Sequence, residues 1–398
     1  MKKLWFTVYL LLITGIVSAQ EAGSKKEQMK HLIAEQFKFA DQQYKVLAKN
    51  VPAGVMPKTY IAKSNKVETS DTKWWCSGFY PGSLLYIYEY TKDTAILKEA
   101  EKRLIILEKE KHYKGNHDLG FMMFCSFGNA YRITKNPIYK PTIDTAAASL
   151  ITRYHPAARV IQSWEPSKQW KGPVIIDNMM NLELLAWVTD HGGDPEYKQI
   201  AINHADETMK NHFRSDYSSY HVVDYDMNTG KVIKKGTAQG ASNESAWSRG
   251  QGWALYGYTM MYRFTRKQSY LDLAKHIAGF ILENPNMPVD EIPYWDFNAP
   301  GIPNTYRDAS AAAIMAAGLL ELGQYVTKKE QTEYVTEAEK MIISLSSDTY
   351  RSKPGQNGGF LLMHNIGALP LKSEIDVPLT YADYYFLEAL ARYKKWYL

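Results

Sequence analysis

The sequence predicts an all-α protein, a single (α/α)6 barrel of six inner and six outer helices. Three observations predict it. Amphipathic segments alternate strictly with segments that are apolar nearly all round. No linker, low-complexity tract or block of like charge divides the chain. The 398 residues would divide into two or three domains of typical size, but a barrel uses such a length in one core. A helix that is apolar on every side must be covered on every side, so the apolar set forms an inner ring and the amphipathic set encloses it.

The amphipathic segments are 27–49, 93–111, 142–154, 195–213, 268–283 and 331–346. In the second of these, Ile96, Ala100, Leu104 and Leu107 recur at helical spacing with Lys and Glu opposite. The apolar segments are 78–90, 119–133, 178–188, 251–264, 309–325 and 384–396. Each inner helix is followed by an outer one running back. All six inner helices therefore point the same way, and their N-terminal ends meet at one mouth.

Residues 1–19 read as a cleaved signal peptide and 20–398 as the single catalytic barrel. Lys2 and Lys3 precede an apolar run from Leu4 to Val17, and Val17-Ser18-Ala19 is a small-residue cleavage signal. That run is shorter than the roughly 20 residues a bilayer span needs, so no membrane span is expected after cleavage, and the expected location is the periplasm. The net charge of +5 loses two positive charges with the leader, which is too mild a balance for a nucleic-acid partner. The two cysteines, Cys76 and Cys125, lie in aromatic-rich apolar stretches. They read as buried thiols, with one bridge as the alternative, and their number excludes a Cys-based zinc site.

No metal and no cofactor are expected. The stretch 224–230 imitates the start of a calcium loop, but Gly230 falls one position late and no bidentate Glu follows; Asn228-Thr229-Gly230 reads as the turn of a short hairpin. Aromatic residues make up 13% of the chain, with 29 Tyr and 10 Trp against 13 Phe. Side chains with an apolar face and a polar handle suit a surface that holds sugars.

Four of the six inner-helix starts carry an Asp: Asp118, Asp177, Asp308 and Asp383. Asp is a favoured N-cap, worth about 1 kcal/mol, so each has a capping role open to it. Four acids and Arg249 at one aromatic mouth are more than caps require. Asp177 follows Val174-Ile175-Ile176 and precedes Met179-Met180, which places its carboxyl in a poorly hydrated site. Burial and a neighbouring anion such as Asp118 raise its pKa, whereas the helix N-terminus lowers it. The balance gives a carboxyl able to donate and accept a proton near neutral pH. Arg249 has the geometry to hold a carboxylate in bidentate fashion. Trp247 and Trp253 flank it, either to stack on a sugar ring or to fill the core. His117 has a structural and a binding reading. His221 and Gln239, in the loop before this helix, can bond ring substituents.

The segments WWCSGFYPG, NHDLGFMMFCSFGNAYRIT, IIDNMMNLELLAW, SAWSRGQGWALYG, RDASAAAI and DVPLTYADYYFLEAL resemble, in order and spacing, the blocks of the unsaturated glucuronyl hydrolases of glycoside hydrolase family 88. The likeness runs from about Trp74 to the C-terminus. It implies an enzyme that removes the Δ4,5-unsaturated uronic acid left at the non-reducing end of lyase-generated glycosaminoglycan oligosaccharides, by hydrating the vinyl ether rather than attacking the glycosidic carbon. By matching position Asp177 is the implied general acid/base and Asp118 its partner. His221, Gln239, Trp247, Arg249 and Trp253 match substrate contacts, with His117, Trp75 and Trp164 beside them. Tyr80 stands where the family pattern has Trp, and Ser245 where some members carry Arg, which bears on the tolerance for sulfate. An unsaturated rhamnogalacturonyl hydrolase acting on pectin fragments, a polysaccharide lyase on the same barrel, and a non-catalytic sugar-binding protein are the alternatives.

Overall fold

The two kinds of helix form where the hydrophobic pattern places them. The computed structural model describes residues 2–398, with side chains described for Gly23 and 25–398; the predicted leader, 1–19, lies outside those described side chains. The outer helices are α1 (Lys2–Asn50), α3 (Thr94–Leu107), α5 (Lys140–Leu150), α7 (Pro195–Asn211), α9 (Gln268–Leu282) and α11 (Lys328–Leu345). The inner ones are α2 (Phe79–Thr91), a π-helical segment Gly120–Gly128 continued by α4 (Asn129–Thr134), α6 (Asn178–Asp190), α8 (Ser248–Thr265), α10 (Ala309–Leu322) and α12 (Thr380–Tyr397).

The inner set closes into a ring. α2 packs on the π-helical segment, that segment on α6, α6 on α8, α8 on α10, α10 on α12, and α12 back on α2. Every residue of α10 is buried, whereas α3 buries only Ile96, Ala100, Arg103, Leu104 and Leu107. Local chemistry starts the outer helices. The Asp93 carboxyl accepts from the Ala95 N–H, Asp194 caps α7 ahead of Pro195, and Thr327 with Glu330 forms a capping box on α11.

The barrel's two ends differ in their connections. At the floor, α2 turns into α3 through Lys92 and Asp93, and α8 into α9 through Arg266 and Lys267; Lys92 and Arg266 are left-handed C-caps. At the mouth the connections are long, 51–78, 151–177, 212–247 and 346–379 among them, and they carry short antiparallel sheets. These are β1 (Met56–Ile61) with β2 (Lys66–Ser70), β3 (Tyr154–His155) with β4 (Val160–Ile161), the three-stranded β5 (Pro173–Ile175), β6 (Val222–Tyr225) and β7 (Val232–Gly236), and β8 (Asn365–Ala368) with β9 (Ser373–Val377). The turn between β6 and β7 holds Asn228-Thr229-Gly230, with Gly230 at φ +72° and the Asp226 carboxylate accepting from the Asn228 and Thr229 N–H groups, the hairpin the sequence predicts.

Two features depart from the regular pattern. The second inner helix is π-wound where 119–133 predicts an α-helix, and the Phe121 N–H goes to the Asn181 Oδ1 of α6 at 3.0 Å. A neighbouring helix thus accepts a hydrogen bond at the start of the widened turn. At Gly78 a Cβ would lie 2.2 Å from the Phe121 and Met122 carbonyl oxygens, so only glycine lets these two inner-helix starts approach so closely. Cys76 and Cys125 are free thiols. No described helix is long and apolar enough to cross a membrane, and no metal-binding cluster forms among the described residues.

Candidate active site

The four inner-helix acids divide into two kinds. Asp308 caps α10, accepting from the Ser310 N–H and Oγ–H at 3.1 and 2.5 Å, and pairs with Arg249 at 2.9 Å. Asp383 accepts from the Leu361 and Leu362 N–H groups and the Tyr44 hydroxyl at 2.9, 3.0 and 3.1 Å, pinning the 361–362 loop to the barrel. Asp177 stands at the N-cap of α6 but makes no side-chain capping bond, and its Oδ2 is buried without a partner. Asp118 likewise caps nothing.

Main-chain bonds bring the two free acids together. β5 leads straight into Asp177 and pairs with β6, Ile175 opposite Val222, while the Ile176 N–H bonds the His221 carbonyl at 3.0 Å. Ser163 joins the other side: its carbonyl accepts from the His117 N–H at 3.0 Å and its Oγ from the Ile175 N–H at 3.0 Å. The segments bearing Asp118, Asp177 and His221 are therefore stitched into one wall.

Burial pushes the Asp177 carboxyl up to about 7; the Arg249 charge draws it down, and the Asp118 charge raises it. Asp118 is also pushed up to about 7, again by burial, against the Asn181 amide and Arg153. His117 lies with Nε2 3.3 Å from Asp118 Oδ1 and His221 with Nε2 3.7 Å from Asp177 Oδ2. Burial drops both imidazoles to about 3, so both are neutral at ordinary pH. Two protonatable carboxyls therefore face a site whose histidines carry no charge.

Arg249 is in the site but differs from the expected clamp. Nη1 donates to Asp308 and to the Ile366 carbonyl; Nη2 donates to the Gly367 carbonyl at 2.6 Å and to Gln239 Oε1 at 3.3 Å. Both terminal nitrogens are occupied, which leaves no fork for a uronate. The guanidinium instead ties α8 to α10, to β8 and to Gln239, between the faces of Trp247 and Tyr381 at 4.5 and 5.1 Å. It acts on Asp177 through its charge.

The tryptophans also sort. Trp253 is fully buried against Phe121 and Tyr385, and Trp247 is 2% exposed beneath the His221 ring. Trp75 and Trp164 are only partly buried. Trp75 is packed edge-on by Phe79 and Phe121 and lies beside Tyr381, and Trp164 rests on Trp170, Ile175 and Val222. Gln239 is half-buried, and its Oε1 is taken by Arg249. Tyr80 is wholly buried beside Tyr44, and the Ser245 hydroxyl is bound to Asp296 at 2.7 Å, so neither substitution in the family pattern adds a group to the wall around Asp177.

Sequence reasoning missed Asn178, Asn181 and Tyr381. Asn181 acts on Asp118 and receives the Phe121 N–H, Asn178 acts on His117, and Tyr381 lies under Arg249. Asn181 had a signal: it stands four residues after Asp177, on the same helix face.

A family model described as Glycosyl Hydrolase Family 88 matches residues 53–396. An unsaturated glucuronyl hydrolase of Formosa agariphila is 41% identical over 97% of this chain and 97% of its own. Among solved structures, an unsaturated glucuronyl hydrolase specific for heparin aligns with a TM-score of 0.89 at 45% identity, over 92% of this chain and 97% of its own. An aspartate-to-asparagine mutant of the Streptococcus agalactiae unsaturated glucuronyl hydrolase, complexed with dGlcA-GalNAc6S, aligns at 0.78 with 28% identity over 92% of both chains.

Proposed function

The chain belongs to glycosyl hydrolase family 88, and on that premise we propose how its mouth performs the family's chemistry. The activity is that of an unsaturated glucuronyl hydrolase, releasing the Δ4,5-unsaturated uronic acid from the non-reducing end of lyase-generated glycosaminoglycan oligosaccharides. Asp177 gives its proton to C4 of the vinyl ether as the C4–C5 double bond electrons take it up, which leaves positive charge shared by C5 and the ring oxygen. The Asp177 carboxylate then accepts a proton from the water that adds at C5. The hemiketal so formed opens, the linkage breaks and the partner sugar leaves.

The observation that carries this reading is the state of Asp177: buried, uncapped, with an unpartnered oxygen and a carboxyl pushed up to about 7. Such a group is present in both protonation states near neutral pH, as a residue that first gives and then takes a proton must be. Asp118, by its charge, helps to hold that proton affinity. Trp75 and Trp164 offer the faces on which the sugar rings rest, and Gln239, His117 and His221 bound the uronate from the loops. Arg249 holds the wall in place. The heparin-specific structure at 45% identity makes heparin-type disaccharides the first substrates to try. The charged, apolar and small-residue pattern of 1–19 supports export to the periplasm.

The test is loss of ultraviolet absorbance from the enoyl chromophore, followed over lyase-generated disaccharides from heparin, hyaluronan, chondroitin and pectin. Hydration lowers the signal, whereas a lyase would raise it on polymer. Asp177→Asn should cut kcat by at least about 10³-fold while the disaccharide still raises the melting temperature. Retained turnover would remove Asp177 from the mechanism.

A further inference from the structure

We propose that the main chain of Ala238 and Gln239 locks His221 in the tautomer with its proton on Nε2, and that this N–H is the positioning donor for Asp177. The proposal rests on the functional reading above and extends it to a residue matched so far only to substrate contact.

The ring nitrogen Nδ1 lies 3.0 Å from the Ala238 N and 3.2 Å from the Gln239 N, both of which donate to it, with the Thr237 hydroxyl farther off at 3.4 Å. A nitrogen that accepts N–H bonds in the ring plane has no hydrogen of its own, so a neutral ring carries its proton on Nε2. The loop that supplies these donors is held in turn: Thr237 Oγ1 accepts the Gly240 N–H at 2.7 Å. Nε2 faces Asp177 Oδ2 at 3.7 Å, and both atoms are buried with no other partner. Catalytic hydrogen bonds are commonly long in an unliganded site and tighten when substrate binds. The imidazole is packed against Trp247, with ring centroids 4.7 Å apart and planes tilted by 48°, and the His221 carbonyl is bound to the Ile176 N–H.

The charges around the pair agree with this assignment. Arg249, His212 and His117 act on His221, and Arg249 and Asp118 act on Asp177. Burial first, then Arg249, keeps the imidazole neutral, so His221 does not relay a proton. It holds Oδ2 while Oδ1 is left to exchange the proton with C4 and then with water. Once the proton has left, the Nε2–H stabilises the carboxylate by a hydrogen bond.

The decisive measurement is nitrogen NMR of the full chain with 15N-labelled histidine, assigned by a His221→Gln spectrum. The expected result is one ring with an unprotonated Nδ1 and a protonated Nε2, unchanged from pH 5 to 8. A proton on Nδ1, or a His221 that titrates in this range, overturns the proposal whatever the enzyme's activity. Failure of hydration with the tautomer intact would instead count against the functional reading. In kinetics, His221→Phe should lower kcat by roughly 10²-fold with a smaller change in KM. It should also move the limb set by Asp177 ionisation to higher pH, because the carboxylate loses a donor. His221→Gln, which keeps an N–H at similar reach, should recover part of both. An unshifted pH profile in His221→Phe would reduce His221 to a substrate contact.

Discussion

The mouth and the floor of the barrel both bury carboxylates, and they treat them in opposite ways. At the floor Glu321 lies 2.9 Å from Arg263 and 3.0 Å from Arg392, Glu183 lies 2.7 Å from Arg263, and Glu388 accepts from the Tyr86 and Tyr256 hydroxyls at 2.9 Å each. The network links α2, α6, α8, α10 and α12 around a cavity of about 580 Å³, and Arg263 sits in the last turn of α8, at the negative end of its dipole. At the mouth, Asp177 and Asp118 have no cation in direct contact; their polar neighbours are neutral groups, His221 and the Trp253 indole beside Asp177 and His117 and the Asn181 amide beside Asp118. A buried acid ringed by arginine is tied into a network that serves the ring of helices. A buried acid without such a partner keeps its proton near neutral pH and is free to exchange it. Arg249–Asp308 is the exception at the mouth, a floor-type pair placed beside the chemistry.

The comparison is broken most directly by removing one member of a paired set. Glu321→Ala takes the shared carboxylate from Arg263 and Arg392, leaving them Glu183 and Glu388 alone, and Arg249→Ala removes the cation paired with Asp308. Each should destabilise the fold by about 3–5 kcal/mol, read as a fall in denaturation midpoint. Glu321→Ala should leave kcat of the folded fraction within about twofold. A stable Arg249→Ala enzyme with weakened uronate binding would restore the substrate-clamp role that the geometry denies it.

Next in size is the pH dependence of stability. The Asp177 carboxyl stands at about 7 in the folded chain against an ordinary 3.8. A folded pKa raised above the unfolded one means that the folded state favours the protonated form. The group's contribution is then fully present below about pH 4 and is lost as pH rises through about 7. Asp177→Asn, whose amide does not ionise, should match the parent near pH 4. It should exceed the parent by up to about 4 kcal/mol at pH 8. A difference independent of pH would show that burial is not what raises the carboxyl. The smallest effect belongs to the open aromatic faces: Trp75→Ala should raise KM roughly 5- to 10-fold with kcat nearly unchanged.

Particular elements show how far the chain could be read. The helix pairs were legible because each helix carries its own burial pattern. The starts of α8 and α12 lie three and four residues ahead of the predicted 251 and 384, because Trp247 and Leu379, which precede them, are not capping residues. The π-helical winding had no local signature, since its acceptor, Asn181, comes from another helix. All ten residues singled out for the site fall at the mouth or in its walls, yet the ranking among them did not follow. Trp253 and Trp247 are buried in the main core, Trp253 acting on Asp177 as well, whereas Trp75 and Trp164 are only partly buried.

Periodicity, helix order and the clustering of acids at inner-helix starts were thus determined by the sequence alone, because hydrophobic burial is encoded within a few turns of the chain. Tertiary structure decided which acid is capped, which is paired and which is free. Arg249 finds Asp308 59 residues away and the Ile366 carbonyl 117 residues away, and His221 finds its Nδ1 donors 17 and 18 residues on. Hydrogen bonds and charge pairs are satisfied by whatever folding brings within about 3 Å, and spacing along the chain does not reveal which groups those will be.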